Sequence, residues 1–247
     1  MNNNFIAQIQ NLNLDFKGKK LFKNLNFDIL ENKSTVLLGS SGVGKSTLLR
    51  CIADLEIENI TSGKIVLKEG TNIAWLSQEN SLYPWLSVLD NVQLYHHLKG
   101  SKKKQTLQKA KELLEQVNMS KHCDKKTYEL SGGQKQRVAL ARTLMQEANF
   151  ILMDEPFSAL DAITKIQLQD LTCHLLKDKT VLLVTHDPQE AIKLANHIYI
   201  LKNQQVVLEE AASLEGVLPH QLSNEKLWNL QEKLISKLQK KDKESQI

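Results

Sequence analysis

The sequence predicts an α/β fold around a largely parallel sheet, on three observations. Short apolar runs at Ser34–Leu38, Ile73–Leu76, Phe150–Met153 and Thr180–Val184 are bounded by turn or polar residues and read as buried strands. The first, third and fourth lead into helical patterns, the alternation that builds parallel sheets through crossover helices. A glycine-rich segment, Gly39–Ser46, lies where the first of these strands hands over to a helix, on the edge where such sheets bind ligands.

A chain of 247 residues can bury a sizeable core, and 41% hydrophobic against 24% charged residues excludes disordered and collagen-like classes. Aromatics are only 5%, so the core is expected to be aliphatic. The 32 basic and 28 acidic residues leave a net charge of +4, too near balance to indicate nucleic-acid binding. Cys51, Cys123 and Cys173 are scattered and form no CxxC pair, which argues against disulfides or a zinc knuckle and fits a reducing compartment. Residues 1–10 carry no secretory pattern, and no run approaches the roughly 18 apolar residues of a membrane span. Action at a membrane would need another subunit to do the spanning.

The segment Gly39-Ser40-Ser41-Gly42-Val43-Gly44-Lys45-Ser46 fits GxxxxGK[ST], after a strand and before a helix opening at Ser46–Ile52. Glycines let successive N–H groups face phosphate oxygens, and the helix N-terminus favours the anion. Lys45 would reach the β/γ-phosphates, and Ser46 would offer its hydroxyl to Mg²⁺. The bland alternative is a glycine-rich turn that binds nothing. Together these features predict a P-loop NTPase core.

Phe150–Met153 runs into Asp154-Glu155-Pro156, placing two carboxylates where a buried strand emerges. Asp154 is the candidate to hold the metal, and Glu155 to position or deprotonate the attacking water; a solvated acidic turn is the alternative. His186 ends the strand Thr180–Val184 region, on the edge expected to face phosphates, unless it merely bonds nearby carbonyls. Asp187, Pro188 and Glu190 read as a helix start.

Leu130-Ser131-Gly132-Gly133-Gln134 opens a helix with apolar Val138, Leu140, Ala141, Leu144 and Met145. Ser131 and Gln134 fit a capping box, yet two glycines in the first turn are poor helix formers. Backbone N–H groups that admit a close anion would explain the glycines better. From Ser87 to Tyr128 no strand-like run appears, and Leu107, Ala110, Leu114 and Val117 share helical spacing, which marks an inserted helical subdomain. Leu227, Leu230, Leu234 and Leu238 share one face of a C-terminal helix, which can pack on its own sheet or on a twin subunit; a charged tail follows from Lys240. Lys102–Lys104 and Lys121–Lys126 read as a solvated face or as contacts to anionic lipid. His96-His97 lacks a second ligand pair at metal spacing.

Gly39–Ser46, Gln78, Leu130–Gln134, Asp154-Glu155, Ser158-Ala159-Leu160-Asp161 and His186, in this order, resemble an ATP-binding cassette (ABC) transporter ATPase, over roughly residues 5–205. The resemblance implies an antiparallel β part near the N-terminus and adenine stacking by Phe16. It implies nucleotide contacts from Gly39 through Ser46 and Thr47, with Ser46, Gln78 and Asp154 at Mg²⁺. Glu155 would be the base, His186 the γ-phosphate sensor, and Gln78 the link to a permease. Ser131, Gly132, Gly133 and Gln134 would meet ATP held by the partner's phosphate loop, so that two chains sandwich two nucleotides. Asp161 would sit in the loop that crosses between subunits, or cap the helix from Ala162.

Tyr83-Pro84-Trp85-Leu86-Ser87-Val88-Leu89-Asp90-Asn91-Val92 resembles the nitrate, sulfonate and taurine importers and their relatives that import the pyrimidine precursor of thiamine. Packing of the helical subdomain is the other reading of Trp85. Tyr83 and Gln134 depart from the Leu and Met common in that group. The expectation is therefore a homodimeric ATPase on the cytoplasmic face of the inner membrane, with permease subunits, a solute-binding protein and no nucleic acid. Its domain would span 1–215, with the helical subdomain at about 84–130, and the helix and tail would occupy 216–247. The rivals are a soluble ABC ATPase of nucleic-acid repair or translation, and a P-loop kinase.

Overall fold

The computed structural model describes residues 4–16, 18–202, 208–220 and 225–239. The tail from Lys240 and the last residues of the 5–205 resemblance lie outside them. In chain order the first elements are β1 (Phe5–Phe16), β2 (Lys19–Leu30), β3 (Ser34–Leu38), α1 (Lys45–Ile52), β4 (Ile60–Leu67), β5 (Ile73–Leu76), α2 (Val88–Val92), α3 (Leu94–Leu98) and α4 (Lys104–Gln116). Then come α5 (Gly132–Leu144), β6 (Phe150–Asp154), α6 (Ala162–Leu176), β7 (Thr180–Thr185), α7 (Pro188–Leu194), β8 (His197–Leu201), β9 (Leu208–Ser213) and α8 (Glu225–Gln239). They form two compact units, Met1–Thr71 with Leu176–Ile247, and Asn72–Leu175.

In the first unit β1 lies between β2 and β4 in an antiparallel sheet. Its alternation is interrupted. Ala7 and Ile9 face the core, then Leu12 and Leu14, one residue out of phase; across the ladder the same slip separates Phe22 from Leu25, Phe27 and Ile29. The slips fall at Asn11 and Asn24, both left-handed with φ of 49°, and without them the later residues would turn to solvent. The two bulges lock each other. The Asn11 N–H donates to Asn26 Oδ1 at 3.0 Å, and the Asn24 N–H to Asn13 Oδ1 at 3.1 Å. Asn13 Nδ2 also donates to Asn24 Oδ1 at 3.1 Å and to Ser62 Oγ of β4 at 2.9 Å.

The other sheet of this unit pairs β3 in parallel with β7 and β8, and β9 closes it antiparallel to β8. Every residue of β3 and β7 is buried, as the continuous apolar runs require of strands covered on both faces. Phe27 meets Tyr199 of β8 edge to face, with centroids 5.0 Å apart, joining the two sheets. α8 packs on α7 in the same unit, with Leu234 fully buried.

In the second unit β5 and β6 pair in parallel, Leu76 opposite Met153. β6 is buried throughout, but β5 alternates: Ile73 and Trp75 are only half-buried, against the expectation of a buried strand, because β5 ends the strand order and pairs only with β6. α5 packs against α2, α4 and β5. It buries polar Gln136 and Thr143 along with Val138, Ala139, Leu140 and Ala141, so more than one apolar stripe is covered. α4 turns Ala110 and Leu114 inward as their spacing predicts. Trp85 is 67% exposed, against the packing alternative, with its ring edge to face against Tyr83 at 5.1 Å.

Candidate functional site

The phosphate loop sits in the first unit. Parallel pairing sets Leu38 opposite Thr185, so both strands end at one edge, and the Gly39 N–H donates to the Thr185 carbonyl at 3.3 Å. His186 therefore emerges, exposed, beside the start of the loop. The turn uses φ values of 78° at Gly42 and 103° at Gly44, which side chains rarely tolerate. Lys45 is 4% exposed, and its ammonium donates to the Gly39 and Ser40 carbonyls at 2.9 and 3.0 Å. No side chain caps α1, which starts at Lys45, one residue before the expected Ser46. Ser46 and Thr47 lie in its first turn. Phe16 ends β1 half-buried, paired with Lys19, and Leu21 of the same hairpin would lie 3.1 Å from a Cβ on Gly44. Sequence distance hides that approach; the hairpin supplies it.

A second polar network holds the His186 turn. The Thr185 hydroxyl donates to Glu190 Oε2 at 2.5 Å and accepts the Asp187 N–H at 3.1 Å, while Asp187 Oδ1 accepts the Gln189 N–H at 2.8 Å. Asp187 thus caps α7 with Pro188 at its first position, as read from the sequence. Glu190 is 3% exposed and serves Thr185.

In the second unit the β5–β6 register brings Gln78 and the carboxylate pair to one edge. Asp154 ends β6 and is 7% exposed. Glu155 follows in a left-handed conformation, φ 43°, a strain that persists only where neighbouring structure enforces it. Ser158 enforces it: its N–H and hydroxyl donate to the Glu155 carbonyl at 3.3 and 3.0 Å. Gln78 Nε2 donates to the same hydroxyl at 3.4 Å. The exposed Gln78 is thereby linked to the acidic turn through one side chain.

Ser131 and Gln134 do form the capping box, Ser131 Oγ accepting the Gln134 N–H at 3.3 Å and Gln134 Oε1 accepting the Ser131 N–H at 3.0 Å. The glycines divide. A Cβ on Gly133 would meet Thr164 Cγ2 of α6 at 2.4 Å, whereas one on Gly132 would meet nothing within 4 Å. Packing within the chain thus demands a glycine at 133, independently of any anion its backbone N–H would meet. Asp161 accepts the Thr164 N–H at 3.0 Å, and this bond holds its exposed carboxyl below the usual range. It caps α6, and the cap brings Thr164 to Gly133.

Residues 22–158, more than half of the chain, match the family model described as ABC transporter. The chain belongs to the ABC transporter ATP-binding family. It is 53% identical over 236 residues to an uncharacterized ABC transporter ATP-binding protein of Haemophilus influenzae, covering 94% of this chain and 98% of that one. An aliphatic sulfonates import ATP-binding protein of Delftia acidovorans is 40% identical over 201 residues, with 81% and 80% covered. Among solved structures, a dimeric ATP-binding cassette in a post-hydrolysis state with ADP and Pi superposes with a TM-score of 0.73 at 30% identity, covering 85% of this chain and 99% of that one. A metal-chelate type ABC transporter in an inward-facing conformation gives 0.72 at 31% identity, with 84% of each covered.

This ABC protein is an ATP-binding ATPase with a P-loop NTPase fold. Several contacts that shape its site carried no signal in one sequence: Leu21 against the loop, Thr185 bonded to Glu190 beside His186, Ser158 against Glu155, and Thr164 against Gly133. Ser158 fell within the quoted family motif, but its hydroxyl bridge needs coordinates to be seen. Among the described residues no three His, Cys, Asp or Glu cluster to hold a metal ion, and no helix is long and apolar enough to cross a membrane.

Proposed function

We propose that this ATPase is the motor of a membrane importer, hydrolysing ATP as a homodimer beneath permease subunits on the cytoplasmic face of the inner membrane. The observation that carries the chemistry is the Gln78–Ser158–Glu155 linkage, which holds an amide against the left-handed turn that carries Glu155. Glu155 is then the base for a water attacking the γ-phosphate in line, and Lys45 stabilises charge on the transferred group. His186, beside the loop start, senses the γ-phosphate. Phe16, on the hairpin that reaches Gly44, stacks on adenine.

Ser46, Asp154 and Gln78 offer a hydroxyl, a buried carboxylate and an amide oxygen, the hard donor types that suit Mg²⁺ in company with nucleotide phosphates. Mg²⁺ held by such donors would neutralise phosphate charge. The open space around Gly132 favours a ligand from outside the chain, and the dimeric relative with ADP and Pi supports a twin subunit's nucleotide in that role. Asp161, next to the packed Gly133–Thr164 pair, would face the same twin.

For cargo, the sequence leaned to a pyrimidine precursor of thiamine over sulfonate or nitrate solutes; relatives named for aliphatic sulfonate import favour instead the sulfonate class, delivered by a solute-binding protein. Those importer names do not favour the repair or translation alternative. The test is uptake of a radiolabelled alkanesulfonate by proteoliposomes that hold this subunit and the permease that co-purifies with it, with the solute-binding protein supplied outside. ATP inside should drive uptake, and Glu155→Gln should abolish it while ATP still binds. Full uptake with Glu155→Gln would refute the base assignment, and ATP turnover without uptake would refute the cargo.

A further inference from the structure

α5 opens at Gly132 and carries Arg142 in its last turn, ten residues on and roughly 15 Å away at helical rise. Arg142 does not cap its own helix. Nη1 donates to the Ser81 carbonyl at 2.7 Å and Nη2 to the Asn80 carbonyl at 2.9 Å, in the loop that leaves β5. A guanidinium is planar and always charged, so a two-pronged bond to successive carbonyls fixes orientation as well as distance.

The loop is one that needs fixing. Ser81, which is not glycine, has a φ of 47°, a left-handed conformation uncommon for a residue with a Cβ. Its hydroxyl donates to the Glu79 carbonyl at 3.0 Å. Beyond it, fully buried Asn91 of α2 accepts the Tyr83 N–H at 2.8 Å and donates to the Tyr83 carbonyl at 3.1 Å. Gln78 stands just before this anchored stretch, its amide directed to Ser158. Arg142 touches none of the candidate nucleotide groups described above, and its bonds go to the Gln78 loop.

The geometry points to Arg142 as a positioning residue: its fork ties the Gln78 loop to the far end of the helix whose start is Ser131–Gln134, so that the two segments shift as one piece. The inference rests on the reading that Gln78 acts at Mg²⁺ beside the acidic turn and Ser131–Gln134 at a twin's nucleotide. Closure around nucleotide at one end of α5 then sets the amide at the other. Misplacing such a group by an ångström can cost about a hundredfold in rate.

The experiment compares the full chain with R142A, R142K, Q78A and R142A/Q78A, reading kcat, KM for ATP, the unfolding midpoint and amide exchange at residues 79–83. R142A should lower kcat by about ten- to a hundredfold with KM changed less than about twofold, since its fork serves orientation and not nucleotide affinity. Exchange at 79–83 should rise. Free guanidinium should restore part of the kcat of R142A, and R142K, keeping charge without the fork, should fall between. The double variant should be no slower than Q78A alone.

Wild-type kcat in R142A beside an impaired Q78A overturns the inference and leaves the Gln78 reading intact. Wild-type kcat in Q78A overturns that reading, and the inference with it. Should R142A fail to fold, R142K decides: wild-type kcat contradicts the proposal, and a lowered kcat at an unchanged unfolding midpoint supports it.

Discussion

Adding one methyl to Gly133 places a carbon 2.4 Å from Thr164 Cγ2, well inside the 3.0 Å that real Cβ contacts respect. The overlap is confined to that methyl, because Thr164 Cβ would lie at 3.7 Å and its hydroxyl at 3.9 Å. Overpacking of this kind costs about 1–3 kcal/mol. Against it stands a gain of at most about 1 kcal/mol from replacing glycine in a helix. Gly133→Ala should therefore be destabilised by up to about 2 kcal/mol. Thr164→Ser removes Cγ2 alone, and in that background Gly133→Ala should cost nothing or stabilise slightly. Urea unfolding of the four proteins isolates the coupling. Gly132→Ala is the control: with open space around it, folding stability should hold or rise while ATP hydrolysis falls. If Gly133→Ala is as stable as the parent, or loses as much stability in the Thr164→Ser background as in the parent, the steric account of this glycine is wrong.

Asn24→Ala should cost about 1–3 kcal/mol, losing both the left-handed preference and the bond to Asn13, whereas Asn24→Gly, which keeps φ, should lose less; equal losses would show that φ is irrelevant. Burial pushes the Cys51 thiol up to about 11 from 9.0. Its raised folded value means protonation favours the fold, so this contribution is complete below pH 9 and fades as pH climbs through about 11. Native Cys51 should resist iodoacetamide at pH 8 and react on unfolding; rapid native labelling would contradict its burial. His186→Ala should cut turnover but leave ATP binding intact, as read by nucleotide titration; loss of binding would make His186 a structural residue.

The core strands were legible because β3, β6 and β7 are covered on both faces, which leaves continuous apolar runs that periodicity finds. β1 and β2 were not located individually, since the bulges at Asn11 and Asn24 shift the apolar phase midway and an alternating template fails across them. The phosphate loop was readable because consecutive residues carry it. The links that hold the site were not: Leu21 to Gly44, Gln78 to Ser158, and Arg142 to Ser81 join residues brought together by sheet register and helix packing. The steric demand on Gly133 was hidden for the same reason, its partner Thr164 lying 31 residues away on α6.

ATP hydrolysis per chain, measured on the isolated subunit across a dilution series with light scattering on the same samples, tests most directly whether one chain carries a complete site. The rate per chain should fall toward zero as the dimer dissociates, and Ser131–Gln134 variants should stay slow at every concentration. A scattering-verified monomer that turns over ATP at the undiluted rate would contradict the account.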